Sequence, residues 1–458
     1  MSNINQESSS FRDRSGFLFF HNNELYRQIN YSYKENFDML MDSGLYKNLI
    51  EKNFLIEHTE ILNFEFNTET YKIIKPKLIP FISYSYEWSF SQLKDAALLT
   101  LEIQKIAMTY GMTLKDASSY NIQFFNGKPI FIDTLSFEKY VDGQIWKAYR
   151  QFCQHFLAPL ALISKKDFRL SSMLKNFIDG IPIDLAAEIL PKTTFGNFGL
   201  TAHIHAHSKS QRHYEDKDIK IKEKKLNRRS FEGIIENLHS TIKNLNWKME
   251  KSEWGDYYND TNYSDVSFEK KSQLIESAIK MLKPTEVWDL GSNVGLFSRL
   301  VSKQGIPTIS FDIDPVAVEK NYLKIKNDNE ERILPLILDL TNPTPSIGWN
   351  NSERLSIIER GPTHTILALA LIHHLAISNN LPLMKIANFF SELCTFLIIE
   401  FVPKNDSQVK RLLLTRDDIF EDYTVSNFEK SFSVFFKLIK KEKIENSERI
   451  LYIFEKFA

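Results

Sequence analysis

The stretch Glu286 to Ser298 (EVWDLGSNVGLFS) constrains this chain more than any other. Val287 to Leu290 is an apolar run bounded by Pro284 and Gly291, the pattern of a short buried strand. Gly291 and Gly295 bracket a tight turn, and Leu296 to Val301 then opens a helix with apolar residues at helical spacing. A strand, a glycine turn and a helix N-terminus form the nucleotide-binding corner of a doubly wound sheet. A dinucleotide fold wants glycine in the middle of that turn, so that the backbone can approach a pyrophosphate. Asn293 stands there instead, and no Gly-Lys-Ser/Thr ending follows, which excludes a triphosphate loop. The turn suits a cofactor without phosphates.

The residues beyond it agree. Thr308 to Phe311 reads as a second strand ending in Asp312, Ile313 and Asp314, where an acidic side chain can accept hydrogen bonds from both ribose hydroxyls. A third strand, Leu334 to Leu338, ends in Asp339 and Leu340, placed to meet an exocyclic amine of adenine. A fourth, Thr365 to Leu371, contains Leu369 and runs into Ile372, His373 and His374, and a fifth, Phe396 to Ile399, ends in Glu400. With these ordered acidic strand ends, the second half resembles a class I S-adenosylmethionine-dependent methyltransferase. Its first motif is Asp289, Gly291 and Gly295, and Asp312 and Asp339 are later ones. More narrowly, WDLGSNVG (288–295), LALIHHL (369–375) and EFVPKND (400–406) resemble a bacterial group often labelled nodulation-protein-like methyltransferases.

The resemblance implies S-adenosylmethionine as cofactor, held by Asp289, Gly291, Ser292, Asn293, Gly295, Asp312, Ile313, Asp339, Leu340 and Leu369. It also implies a closing antiparallel pair, which Val434 to Ile444 and Arg449 to Phe454 fit. Methyl transfer from a sulfonium is an in-line displacement, so holding the acceptor aligned in a dry site supplies most of the catalysis. His373 and His374, just after the fourth strand, and Glu400, after the fifth, lie at the carboxyl edge where open sheets bind ligands. Histidine is the natural base near neutral pH, and these three are the catalytic candidates. The alternative is that one histidine packs or caps the next helix while the other faces solvent. The Asn/Asp-Pro-Pro-Tyr sequence of enzymes methylating amide or base nitrogens is missing, and the loop Thr341 to Trp349 could help define the acceptor site.

At 458 residues the chain exceeds one ordinary domain. The fold expected is α/β: a Rossmann-like doubly wound methyltransferase sheet over residues 266–458, preceded by an α+β domain over 1–215 and a connector over 216–265. The connector holds a basic run (Lys217 to Arg229), a helix capped by Ser230, and an aromatic segment in which Tyr258 and Tyr263 could fold over the cofactor. A net charge of -1 gives no global argument for nucleic acid or an anionic membrane, and the basic run reads first as a solvated face. Cys153 and Cys394 follow no metal spacing and read as reduced thiols; with no apolar run of spanning length, a cytoplasmic location is expected. His203, His205 and His207 alternate as strand residues on one face would, a pattern that could hold zinc, but no cysteine completes a set and no metal is assigned.

The first half carries one further signal. Asp116 and Asn121 stand at the spacing of a kinase catalytic loop, followed by a hairpin turning at Asn126 and Gly127 whose return ends in Asp133. The segment resembles that corner of a kinase-like fold. It lacks His-Arg before Asp116, has Thr134-Leu135 in place of Phe-Gly, and follows no glycine-rich phosphate loop; Lys75 and Lys77 are weak candidates for the nucleotide lysine. A degenerate, structural kinase-like half is the favoured reading. The leading function is methyl transfer to a small-molecule or saccharide acceptor. Magnesium-dependent phosphotransfer by Asp116, Asn121 and Asp133, or a non-catalytic cofactor-binding scaffold, stand as alternatives. Oligomeric state is not legible.

Overall fold

The computed structural model describes residues 4–62, 67–206, 226–249, 265–414 and 416–457. The chain divides into two compact units, Met1–Lys248 with Ser346–Arg354, and Met249–Pro345 with Leu355–Ala458.

The first unit is built on a five-stranded antiparallel sheet of order β1-β2-β3-β5-β4. Its strands are β1 (Ile4–Gln6), β2 (Gly16–His21), β3 (Glu24–Asn30), β4 (His58–Ile61) and β5 (Thr70–Pro76). Asn22 and Asn23 join β2 to β3 with φ of 52° and 63°, the two-residue turn whose twist matches a hairpin. Helical spacing is the pattern the sequence offers most plainly in this region, but the paired asparagines between aromatic-rich runs were the signal for this hairpin. Two helices follow, Lys34–Asp42 and Leu45–Glu51, divided at Gly44, whose φ is 83°. Helix Phe90–Thr109 starts at a reciprocal cap between Ser89 and Gln92. Beyond it, β6 (Met112–Leu114) pairs with β9 (Phe137–Lys139), and β7 (Ile122–Phe125) with β8 (Lys128–Phe131) across the Asn126-Gly127 turn. Helix Arg228–Asn244, grouped with the connector on sequence grounds, belongs to this unit: Phe231 lies against Tyr140 and Trp146. Its cap is Asn227, which accepts from the Ser230 amide, rather than Ser230.

The second unit carries a seven-stranded sheet of order β12-β11-β10-β13-β14-β16-β15. The strands are β10 (Val287–Leu290), β11 (Thr308–Asp312), β12 (Ile333–Ile337), β13 (Thr363–Ala368), β14 (Cys394–Phe401), β15 (Phe436–Lys443) and β16 (Ile450–Lys456). The first five are parallel, joined by helices except for the loop between β12 and β13; β16 runs antiparallel to both β14 and β15. This is the Rossmann-like doubly wound sheet expected, including its closing antiparallel pair. Buried on both faces, its central strands read as continuous apolar runs. One face packs Val287, Leu367, Ile398 and Ile453 against Ile275, Ile279, Phe297 and Val301 from flanking helices.

The expected fourth strand is corrected: β13 stops at Ala368 rather than Leu371, because Ala370 takes a left-handed φ of 50°. Helix Ser407–Leu413 starts where Asp406 accepts from the Gln408 amide. No helix among the described residues is long and apolar enough to cross a membrane.

Phe428 is fully buried, with ring centroids of Phe432, Tyr452 and Phe401 at 4.3, 4.9 and 5.0 Å. Phe428→Ala should destabilise the second unit by about 3–5 kcal/mol in urea denaturation; a loss under about 1 kcal/mol would mean that this side of the sheet is not closed by the aromatic stack.

Candidate functional site

The glycine turn after β10 is fixed from below. Gly291 and Gly295 have φ of 74° and 75°, and Asn293 joins them in the left-handed region at 52°. A Cβ at Gly295 would stand 2.5 Å from the Asn321 side chain, so only glycine fits there. The amides of Gly291 and Ser292 both donate to the Phe311 carbonyl at 2.9 Å. Beneath the turn, Ser298 donates to Asp289 at 2.6 Å, and the hydroxyls of Ser298, Ser310 and Ser292 link with Asn321 at 2.8–3.0 Å. Arg299 donates to the carbonyls of Val294 at 2.6 Å and Gly295 at 3.1 Å and pairs with Glu330. The guanidinium nearest the turn is therefore committed to backbone carbonyls and a carboxylate, not held out for a phosphate.

Asp312 ends β11 with one carboxyl oxygen accepting from the Asn293 amide (2.7 Å) and the other from the Asp314 amide (2.8 Å). Burial pushes both Asp289 and Asp312 up to about 6. Ile313 follows as an apolar side chain 55% exposed. Asp339 and Leu340, in the loop just beyond β12, are half-buried, and Asp339 accepts from the Thr341 amide and hydroxyl at 2.8 and 2.6 Å. Leu369 is buried at the end of β13.

Glu400 is fully buried and its carboxylate is engaged on both oxygens. Oε2 accepts from Lys271 Nζ at 2.6 Å and from the Ala370 amide at 2.8 Å, while Oε1 faces Arg449 at 3.4 Å. Arg449 continues to Asp406 at 2.7 Å, and the Lys271 ammonium lies 4.7 Å from the Phe297 ring centroid. Burial drives the Lys271 ammonium down from its ordinary value. Ala370 is thus a non-glycine residue in left-handed backbone, a conformation costing on the order of 1–3 kcal/mol, held at the carboxyl edge of the sheet. Sequence reasoning found Glu400 but not its partners, because Lys271 and Arg449 are unremarkable in their own helix and strand.

His373 and His374 have ring centroids 4.1 Å apart at a π-helical turn, His374–Ser378. His373 is wholly enclosed, and neither ring nitrogen meets a hydrogen-bond partner among the described residues. His374 keeps partial exposure. Burial depresses both, His374 to about 4, so both rings are neutral at physiological pH.

In the first unit, Asp133 is bound by Arg27 of β3, by the Ser136 hydroxyl and by the Leu135 amide. The Arg27 guanidinium offsets burial and keeps the Asp133 carboxyl low, whereas burial and the nearby Asp133 charge raise Asp116. Asn121 donates to Ser136 at 3.2 Å. Lys75 pairs instead with Glu24, and Lys77 lies over Phe125. Among the described residues, no three His, Cys, Asp or Glu gather as a metal would need. His203 and His205 lie in a π-helical turn, not on a strand: His203 bonds Tyr149 and Asn237 at 2.7 and 2.8 Å, and His205 bonds Thr194 at 2.8 Å. His207, Lys217 to Lys225, Tyr258 and Tyr263 lie outside the described residues.

No family model matches the chain. It is 32% identical to nodulation protein NoeA of Rhizobium meliloti (strain 1021), over 98% of this chain and 96% of that one. Among solved structures it is similar to the PH0226 protein of Pyrococcus horikoshii OT3 (16% identity, 44% of this chain, 99% of that one, TM-score 0.33). It is also similar to magnesium protoporphyrin IX methyltransferase of Synechocystis PCC 6803 with bound SAH (16% identity, 44% and 93%, TM-score 0.32).

Two outcomes are expected. Lys271→Met leaves the Glu400 charge uncompensated and should cost about 3–5 kcal/mol in urea denaturation, a value near zero being incompatible with the buried pair. As pH falls from 6.5 toward 4, the unfolded chain takes up a proton at His374 that the folded chain refuses, so the stability this group contributes above 6.5 is lost at about 1.4 kcal/mol per pH unit. Asp289 and Asp312, raised to about 6, act in the opposite direction over the same range. The measurement is therefore the difference between wild type and His374→Gln, which should lose this component of the slope; parallel pH profiles would refute the assignment.

Proposed function

The chain belongs to the family of nodulation protein NoeA, and from its site we propose that it is an S-adenosylmethionine-dependent methyltransferase acting on a small-molecule or saccharide acceptor in the cytoplasm. The observation that carries the reading is a glycine turn without a phosphate-binding cation, set directly against the raised carboxyl of Asp312. The residues present fit this cofactor. The acidic edge formed by Asp289, Asp312 and Asp339 would repel phosphates but suits ribose hydroxyls and a cationic group. The exposed Ile313 beside Asp312 offers an apolar surface for a flat base, and Asp339 with Leu340 would meet its amino edge. Gly291, Ser292, Asn293 and Gly295 present backbone around the turn, and Leu369 closes the strand side.

When bound, S-adenosylmethionine supplies a methyl group already activated on a sulfonium. The protein's part is to align the acceptor, exclude water and receive a proton. His374, neutral and partly exposed, is the ring that takes this proton in passing, and its depressed basicity hands the proton on to water; the enclosed His373 backs it. Glu400, offered by the sequence as a third catalytic candidate, is assigned a different role: its oxygens hold Ala370, Lys271 and Arg449, which makes it a positioning residue. The phosphotransferase alternative loses support from Arg27, which occupies the Asp133 carboxylate where a metal would have to sit.

Calorimetry with S-adenosylmethionine tests the proposal. Wild type should bind, Gly291→Arg should not, and Asp312→Asn should weaken binding roughly 10- to 100-fold through lost hydrogen bonds to a charged acceptor. Affinity in wild type should fall below pH 6, as protonation of Asp312 removes that acceptor, and the fall should be absent in Asp312→Asn. No binding by wild type overturns the reading; binding without methylated product in any extract would leave a scaffold.

A further inference from the structure

One residue at the carboxyl edge of the second unit's sheet breaks a pattern. Among the described residues, every other non-glycine residue in left-handed backbone is an asparagine, Lys283 apart, and asparagine reaches that region at little cost. Ala370, with φ of 50°, has no polar side chain to compensate, so its conformation is imposed from outside. The stretch it starts runs through His373 and His374 to Asn380, whose φ is 54°, and left-handed residues therefore bracket the histidine turn at both ends.

Between them the backbone is wound wider than an α-helix, His374–Ser378 being one π-helical turn. Wider winding withdraws carbonyls from the usual ladder, and each then needs another donor. The Leu371 carbonyl accepts from both the His374 and Leu375 amides, at 3.0 and 3.3 Å. The His374 carbonyl accepts from the Asn379 amide at 3.2 Å and from the Asn379 side chain at 2.9 Å. The Ile377 carbonyl takes a charged donor, Arg416 Nη1 at 2.6 Å, from 39 positions away and beyond helix Ser407–Leu413. Arg416 is exposed, and among the described residues its guanidinium pairs with no carboxylate, whereas Lys404 nearby in sequence is matched with Asp418 at 2.7 Å. A cation free to pair on the surface is spent on a carbonyl of the turn that carries the candidate base. Hydrogen bonds from charged donors are among the stronger ones.

Resting on the methyltransferase reading, we propose that Arg416 is a positioning residue for methyl transfer. It pins the far end of the turn at Ile377 while the Glu400 carboxylate pins the near end at Ala370, and His374 is presented from between the two. A single bond to a carbonyl asks only for a charged donor. An arginine gripping an anionic group of the acceptor would instead need its two-pronged guanidinium. Lysine at this position tells the two roles apart.

The test uses the full chain, with Arg416→Ala and Arg416→Lys. Hydrogen exchange of peptides over residues 371–381 should accelerate roughly 10-fold in Arg416→Ala, with β10 and β11 peptides unchanged, and stay near the wild-type rate in Arg416→Lys. The enclosed His373 should become open to carbethoxylation by diethyl pyrocarbonate in Arg416→Ala and remain protected in Arg416→Lys. S-adenosylmethionine affinity by calorimetry should keep its wild-type value in both. Transfer of labelled methyl groups into a cell-envelope sugar extract, at saturating S-adenosylmethionine, should fall roughly 10- to 100-fold in Arg416→Ala and recover in Arg416→Lys. Unchanged exchange in Arg416→Ala, or unchanged transfer despite faster exchange, overturns the positioning role. Transfer lost equally in both variants, with exchange at the wild-type rate in Arg416→Lys, also overturns it and puts the guanidinium on the acceptor. A wild type that binds no S-adenosylmethionine, or binds it and transfers nothing, overturns the enzymatic reading instead; exchange and carbethoxylation need no cofactor and keep the two failures apart.

Discussion

The second unit depends on what surrounds one carboxylate. Glu400 has no exposure to water, and removing a carboxylate that deeply is costly unless its oxygens are satisfied. Lys271 comes from the helix before β10, Arg449 from the entry to β16, and the Ala370 amide from the end of β13. One group therefore ties the helix that opens the unit, the strand that closes it and the residue that turns the chain at the ligand edge. The left-handed Ala370 is held by its amide's hydrogen bond to Glu400, and His373 and His374 follow on that turn. Burial that leaves no face for proton transfer is the same property that lets Glu400 hold the edge rigid.

A comparable substitution of structure for chemistry runs through the first unit. Asp133 stands where the kinase resemblance implies a metal ligand, yet Arg27 supplies the positive charge from within the sheet. A guanidinium answers the carboxylate with a permanent charge and no dependence on a bound ion. Asp116 and Tyr120 then become walls of a packed corner, the latter stacking with Arg354. Two of the three histidine residues that invite a zinc reading resolve similarly: His203 is bonded to Tyr149 and Asn237, and His205 to Thr194.

The glycine turn after β10 was legible residue by residue because its signals are local. Gly291, Asn293 and Gly295 announce positive φ, Val287 to Leu290 announces a buried strand, and Asp312 announces the end of the next. A boundary slipped where a partner distant in sequence decided it: β13 ends early because Glu400 captures the Ala370 amide. The hairpin β2–β3 escaped because helical spacing nearby was the louder pattern, while the marker, Asn22-Asn23, required turn chemistry to be weighed above periodicity.

By itself, then, the sequence determined the parallel order of apolar runs, the glycine turn after the first of them and the acidic end of the second at Asp312, since each rests on the backbone preferences of residues a few positions apart. Tertiary structure decided which charged groups are spent on the fold. Glu400 meets Lys271 across 129 positions, and Arg12 meets Glu353 across 341. No local pattern encodes such pairings, because the energy that selects them is the cost of burying a charge alone, and that cost exists only once the chain has closed around it.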